Sequence, residues 1–289
     1  MLGAAWIADV AVLPAISASK NGRLVAIASR DPQRAQRLAE KHRAEHVASA
    51  YDDLLADPRI DAVYIPLVNS DHKEWTLRAL AAGKHVLCEK PLGMNAAEAE
   101  EMAAAAARSG KHLMEAFMYR FHPRTRRFVE ALVDPEYVHA SFGFSLKDES
   151  NYRFQAPLGG GALLDVGCYG VSVMRWILGE PAQVFARSKL AKGVDMTTFA
   201  MLEFDGGQTA SVWASIASAE VQWVTTVVRD GVRRLEQPFT SREEADPYQL
   251  MVESFADSVI HGRPVAISPS ESIANMKVLD RIKEAAAKS

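Results

Sequence analysis

The chain has 289 residues, 48% of them hydrophobic and 24% charged, which is material for two cores on a prior of roughly 150 residues per domain. A net charge of −3 and a pI near 6.3 give no reason to expect nucleic acid or an anionic membrane surface as partner. No uninterrupted apolar run approaches the roughly 18 residues of a spanning helix, and two cysteines, Cys88 and Cys168, are too few for a disulfide framework. The expected compartment is reducing and cytoplasmic, although the chain starts almost on its first motif, where no leader is legible.

That motif is Leu2-Gly3-Ala4-Ala5-Trp6-Ile7-Ala8. It fits a relaxed dinucleotide-binding turn, with Gly3 at the tight bend and Ala5 and Ala8 at the small positions that let backbone approach a pyrophosphate. Such turns are common before helices and identify little alone. A Rossmann unit also needs a strand ahead of the turn, and only Met1 and Leu2 precede Gly3. Either that strand is lost ahead of Met1 or the expected sheet is built without it, and in the second case the phosphate loop is held less firmly.

Leu24 to Ala28 reads as the next strand and is followed by a helix from Gln33 to about His42. The strand ends in Ser29-Arg30-Asp31, with Arg34 beyond. Ser29, Arg30 and Arg34 offer a hydroxyl and guanidinium groups to the 2′-phosphate of NADP, whereas Asp31 keeps NAD open through the ribose hydroxyls; an ordinary solvated turn is the bland alternative. Next come a strand Ala62 to Ile65, a helix Ser70 to Ala82 ending at Gly83, and a strand His85 to Cys88. A helix from Asn95 to about Arg108 ends at Gly110 and leads to a strand Leu113 to Phe117. Strands alternating with helices predict a parallel sheet covered on both faces.

After about Tyr119 longer strand-like runs follow one another: Val138 to Leu146, Ala182 to Lys189, Met196 to Phe204, Gln208 to Ala217 and Trp223 to Val228. Asp205-Gly206-Gly207 is a hairpin turn. One helix, Asp165 to Leu178, interrupts the series, and helices from Pro247 to His261 and from Pro269 onward close it. The predicted fold is α/β: a dinucleotide-binding Rossmann-like domain over residues 1–118, then an α+β domain with a largely antiparallel sheet over 119–289.

Two places carry chemistry. Lys90 follows the strand His85 to Cys88, at the carboxyl end where doubly wound sheets bind ligands; Pro91 stiffens its exit and Glu89 is a candidate ion-pair partner. A lysine at a strand end is usually just solvated. Gly159-Gly160-Gly161-Ala162-Leu163-Leu164-Asp165-Val166-Gly167-Cys168-Tyr169 is more suggestive. Asp165 opens a helix where its charge suits the dipole, and Tyr169 lies four residues on, on the same face. The bland reading is a helix-starting aspartate and a core tyrosine. A lysine, an aspartate and a tyrosine together suit alcohol oxidation, in which a phenol of pKa about 10 gains from a neighbouring cation when it removes the hydroxyl proton.

With these segments, the chain resembles the Gfo/Idh/MocA family of NAD(P)-dependent oxidoreductases. The resemblance runs through Leu2 to Ala8, Val63 to Pro66 with Asn69 and His72, Ala82 to Pro91, Glu115 to Pro123, Gly159 to Tyr169 and Tyr248 to Asn275. It implies that Lys90, Asp165 and Tyr169 form the catalytic group. It also implies that Gly3, Ala5, Trp6, Ile7, Ser29, Arg30, Arg34, Pro66, Asn69, His72, Glu89 and Lys90 face an NADP or NAD cofactor. Arg120 and Tyr152, with Tyr169, are assigned to the substrate, and no metal is implied. Tyrosine rather than histidine at position 169 points to the aldose and dihydrodiol dehydrogenase branch. The expected reaction is hydride transfer at a hydroxyl or carbonyl carbon of a sugar-like substrate. The alternatives are a trans-dihydrodiol dehydrogenase, or a cofactor-sensing protein with little turnover. The expected assembly is a homodimer or higher homo-oligomer, although the segment after Trp223 looks compressed, which puts the sheet edge in question.

Overall fold

The computed structural model describes residues 1–288. The described chain divides into two compact units: residues 1–93, 97–121 and 245–272 form the first, and residues 94–96, 122–244 and 273–288 the second.

In the first unit a helix starts at Trp6, passes through a π-helical stretch Ala8–Val12 and continues as α1 (Leu13–Ala18). There follow β1 (Ala26–Ile27), α2 (Pro32–His42), β2 (His46–Val47), α3 (Tyr51–Ala56), β3 (Ala62–Ile65), α4 (His72–Ala81), β4 (His85–Cys88), α5 (Ala96–Ser109) and β5 (Leu113–Glu115). β1 pairs with β2, and β3, β4 and β5 pair in that order, all parallel. The first strand, expected to be missing, is present as two residues. Leu2 bridges Ala28 in parallel and its N–H donates to Tyr64 O at 3.0 Å, while Met1 O accepts from Ala28 N at 3.0 Å. This short segment joins the two parallel pieces between β1 and β3. Val63, Tyr64, Ile65, Val86, Leu87, Cys88, Leu113 and Met114 are all buried, the continuous burial of a parallel sheet with both faces covered.

The second unit holds α6 (Pro123–Glu130), β6 (Pro135–Ser145), α7 (Cys168–Leu178), β7 (Gln183–Ala191), β8 (Val194–Glu203), β9 (Thr209–Ser215), β10 (Ala217–Val228) and β11 (Gly231–Glu236). Its six strands run in the order β11-β10-β6-β9-β8-β7. Only β6 and β9 pair in parallel; the other neighbours are antiparallel. Strand alternation buries Val138, Ala140, Phe142, Ala200, Leu202, Ala210, Val212 and Ala214 on the face that α7 covers. The compressed segment after Trp223 forms an edge hairpin of β10 and β11, and β11 was not expected from the sequence. α8 (Pro247–His261) belongs to the first unit, and α9 (Pro269–Ala287) closes the chain.

One stretch, Ala156–Leu178, reaches a mean hydropathy of 1.2 over a spanning length although polar residues interrupt it, and 78% of its apolar window is buried inside the protein. That is the environment of a core helix. Both cysteines are buried and neither forms a disulfide.

Candidate active site

In the first unit the turn expected at Gly3 is built. Gly3 has φ +92°, and a Cβ there would lie 2.7 Å from Leu67 Cδ2, so no larger residue fits without displacing the loop after β3. Its N–H donates to Ala28 O at 2.7 Å. The helix starting at Trp6 leaves its first N–H groups without intrahelical acceptors, which is the cradle an anionic pyrophosphate needs. Trp6 is 69% exposed; Ala5 and Ile7 are half-buried.

At the end of β1, one oxygen of Asp31 caps α2 by accepting from Arg34 N at 2.9 Å, while the Asp31 N–H donates to Ser29 Oγ at 3.1 Å. Arg30 and Arg34 are exposed, and Arg30 reaches Asp71 only at 3.8 Å. Two guanidinium groups and a hydroxyl thus stand beside a carboxylate one oxygen of which caps a helix.

The loops after β3 and β4 are tied to each other. Pro66, Asn69 and His72 are buried. His72 places Nδ1 2.9 Å from Pro91 O and Nε2 3.0 Å from Leu67 O. Burial lowers its pKa and the charge of Lys90 adds to this, against the two carbonyls, which raise it. A neutral imidazole donates from one nitrogen only, so one of the two contacts is a donated hydrogen bond at a time. His72 thereby braces the turn that carries Lys90. The Lys90–Pro91 peptide is cis. Glu89 Oε1 accepts from the buried Tyr64 hydroxyl at 2.7 Å and Oε2 from Lys90 N at 3.3 Å. Beyond the turn, Leu92 N donates to Glu115 Oε1 at 2.9 Å. Burial pushes the Glu115 carboxyl up to about 7, with the Ser272 hydroxyl and Leu92 N–H opposing. Ser272 Oγ approaches without reaching hydrogen-bond geometry, and Glu115 Oε2 has no partner among the described residues. Arg120, assigned to the substrate, donates from Nη1 to Glu271 at 2.8 Å.

In the second unit Asp165 lies in a π-helical turn, Leu163–Gly167, which starts two residues before the expected helix and runs into α7. The early start has a cause: Leu163 N donates to Asp195 Oδ2 at 2.7 Å. The three glycines explain how. A Cβ on Gly160 would meet Arg153 O at 2.5 Å, and one on Gly161, at φ +109°, would meet Asp195 Oδ1 at 2.0 Å. The turn holding Tyr152 and Arg153 therefore packs directly on the glycine loop, and Gly161 N donates to Arg153 O at 2.9 Å.

Asp165 is buried and accepts from Arg153 Nε at 2.6 Å. Burial alone would lower the Arg153 pKa, but the charges of Asp165, Tyr152 and Tyr169 together raise it. Arg153 therefore lies within electrostatic reach of both Asp165 and Tyr169, which the sequence had paired by spacing. Its guanidinium also faces the Tyr152 ring at 5.0 Å. Tyr169 is buried between Phe142 and Phe239, at 5.4 Å from each centroid. Sequence reasoning missed Arg153, Asp195 and the bracing roles of His72 and Glu115. Arg153 stood next to a named residue, Tyr152, but nothing in the spacing linked it to Asp165 twelve positions on. Among the described residues no cluster of His, Cys, Asp or Glu is placed to hold a metal.

A parallel sheet with a glycine turn and a helix start at its carboxyl edge, followed by a domain carrying an aspartate–tyrosine pair, defines a class: two-domain, nicotinamide-dependent oxidoreductases. Residues 1–117 match the oxidoreductase family with an NAD-binding Rossmann fold, and residues 129–231 match the Gfo/Idh/MocA C-terminal domain. The chain belongs to the Gfo/Idh/MocA family and is an NAD(P)-dependent oxidoreductase. It is 38% identical to the NADP-dependent D-xylose 1-dehydrogenase 2 of Haloferax volcanii, over 99% of this chain and 96% of that protein. It is 36% identical to the trans-1,2-dihydrobenzene-1,2-diol dehydrogenase of Xenopus laevis, over 74% of this chain and 66% of that protein. The crystal structure of a 3-ketoreductase from Actinomadura kijaniata with NADP and TDP-benzene superposes with a TM-score of 0.92 at 30% identity, covering 98% of this chain and 96% of that one.

Proposed function

We propose that this protein oxidises or reduces a neutral sugar-like substrate at a hydroxyl or carbonyl carbon, with NADP preferred over NAD. The observation that carries the reading is the similarity to the NADP-dependent D-xylose dehydrogenase over 99% of the chain. The NADP preference is supported by Ser29, Arg30 and Arg34, which offer donors to a 2′-phosphate beside Asp31, one oxygen of which caps α2. Gly3, Ala5, Trp6 and Ile7 would hold the pyrophosphate, and Pro66, Asn69, His72 and Glu89 would shape the loops around the nicotinamide. When bound, NADP supplies the two-electron redox couple.

Lys90, Asp165 and Tyr169 act as the catalytic group in this reading. Tyr169 takes the proton of the substrate hydroxyl, the Lys90 ammonium favours the phenolate electrostatically, and Asp165 orients. A trans-dihydrodiol dehydrogenase is the second reading, supported by the Xenopus relative. Self-association has support in the open sheet face, where Phe185 and Met201, paired across β7 and β8, and Phe199 are 48%, 43% and 44% exposed; apolar patches of this kind mark association surfaces.

The test is a titration of NADP against NAD, followed by turnover on aldoses, polyols and dihydrodiols. Lys90→Ala is expected to lower turnover by roughly 100-fold or more while NADP still binds. Undiminished turnover in that variant would sink the catalytic assignment.

A further inference from the structure

The Asp165–Arg153 pair has an asymmetry. Asp165 engages Arg153 through Nε alone, at 2.6 Å, and among the described residues no other group accepts a hydrogen bond from the guanidinium. A guanidinium carries five N–H donors in a planar fork, so four remain on the terminal amino groups. These keep access to solvent, the Arg153 side chain being 27% exposed against 4% for Asp165. The stem of the fork is fixed on three sides: Asp165 at Nε, the Tyr152 ring at 5.0 Å on a face, and the Arg153 backbone packed on Gly160 and Gly161. A donor pair held this rigidly loses little entropy on binding a second partner.

The charge balance says what that partner is. The Asp165 carboxylate at 2.6 Å neutralises the guanidinium at short range, and the buried Asp195 carboxylate lies against the same glycine loop. A substrate carboxylate arriving at the fork would be desolvated against a guanidinium whose charge Asp165 already balances, which is costly. Neutral hydroxyl oxygens accept from the terminal amino groups without that cost.

Resting on the sugar-oxidoreductase reading above, we propose that Arg153 is a substrate-binding and specificity-determining residue whose terminal amino groups donate to adjacent hydroxyls of a neutral polyol, and that the Asp165–Arg153 pair selects against sugar acids.

The experiment measures calorimetric binding of matched pairs, D-glucose with D-glucuronate and D-galactose with D-galacturonate, together with D-xylose, to NADPH-saturated protein. Wild type is expected to bind a neutral sugar roughly tenfold tighter than its acid. Arg153→Ala should weaken the neutral sugar roughly tenfold, the loss of hydrogen bonds from a charged donor, with NADPH affinity unchanged. Arg153→Lys, which keeps the charge and so the partner of Asp165, should recover only part of the loss. Asp165→Asn should bring the acid level with the neutral sugar or ahead of it. The proposal is overturned if neutral-sugar binding is unchanged in both Arg153 variants, if wild type prefers the acid, or if it binds no sugar. Arg153-dependent sugar binding without turnover would leave this proposal standing and remove the dehydrogenase reading instead.

Discussion

Glu115 is an acid held away from water, 1% exposed, with one oxygen on Leu92 N and the other without a partner among the described residues. Burial raises its pKa from 4.5 to about 7. Between those values the unfolded chain releases the proton while the native protein keeps it, so the native state loses stability as pH rises through that window and does not regain it above. The loss is on the order of 3 kcal/mol. Glu115→Gln keeps an oxygen for Leu92 N and has no charge to bury. It is expected to match wild type in urea unfolding at pH 4 and to exceed it by up to about 3 kcal/mol at pH 8, with turnover within a few-fold. Equal stability of the two proteins at pH 8 would show that the carboxyl titrates normally. This buried acid, one strand away from Lys90, fixes the turn beyond the lysine through Leu92 N.

Among the elements, the glycine loop ahead of α7 is the least tolerant. Gly161→Ala meets both a left-handed φ of +109° and a contact of 2.0 Å with Asp195 Oδ1. It is expected to cost at least about 2 kcal/mol, read as a drop in Tm, and to lower turnover by releasing Leu163 N from its cap. An unchanged Tm would mean that Asp195 moves freely. The sequence carried this element well, because three glycines before an aspartate announce a close approach. It could not say what approaches, since Asp195 and Arg153 reach the loop from other strands and turns. The parallel sheet was legible for the same reason, in buried runs such as Ala62 to Ile65 and His85 to Cys88. β2, α3, α6 and β11 were not, being short and stabilised by pairing or packing rather than by their own periodicity. The first strand is an instructive intermediate. Parity along β1 and β3 turns Leu24, Ala26, Ala62 and Tyr64 toward the space beyond Met1, because Val25 and Asp61 pair on the other side. That space is a cavity of about 360 Å³ lined also by Val252 and Phe255.

At the scale of the whole molecule, acid is expected to act on the first unit before the second. The Met1 amine, buried and donating to Ala26 O at 2.8 Å, is lowered by burial from 8.0 to about 5. His85 is lowered from 6.5 to about 4, by burial first and then by Lys111 and His112. Burial also lowers His72 and, in the second unit, His139. Each of these groups stays neutral in the native state while the unfolded chain binds a proton, so their contribution is present above the unfolded pKa and is lost as pH falls toward the folded one. The amine alone accounts for up to about 4 kcal/mol between pH 8 and pH 5. Glu115 works in the opposite direction between 4.5 and 7, but it is one group against three in its own unit. The first unit should therefore weaken between pH 8 and pH 5 while the second, where the raised carboxyls of Asp195 and Asp280 oppose His139, changes less. Hydrogen exchange, corrected for the intrinsic pH dependence of amide exchange, resolves the two: protection in β3, β4 and β5 should fall at pH 5 more than in β6, β8 and β9. Acetylating the Met1 amine removes the largest titrating charge, and should flatten the response of the first unit without altering the second. Equal loss of protection in both units, or a response unchanged by acetylation, would place the acid sensitivity outside the buried groups named here.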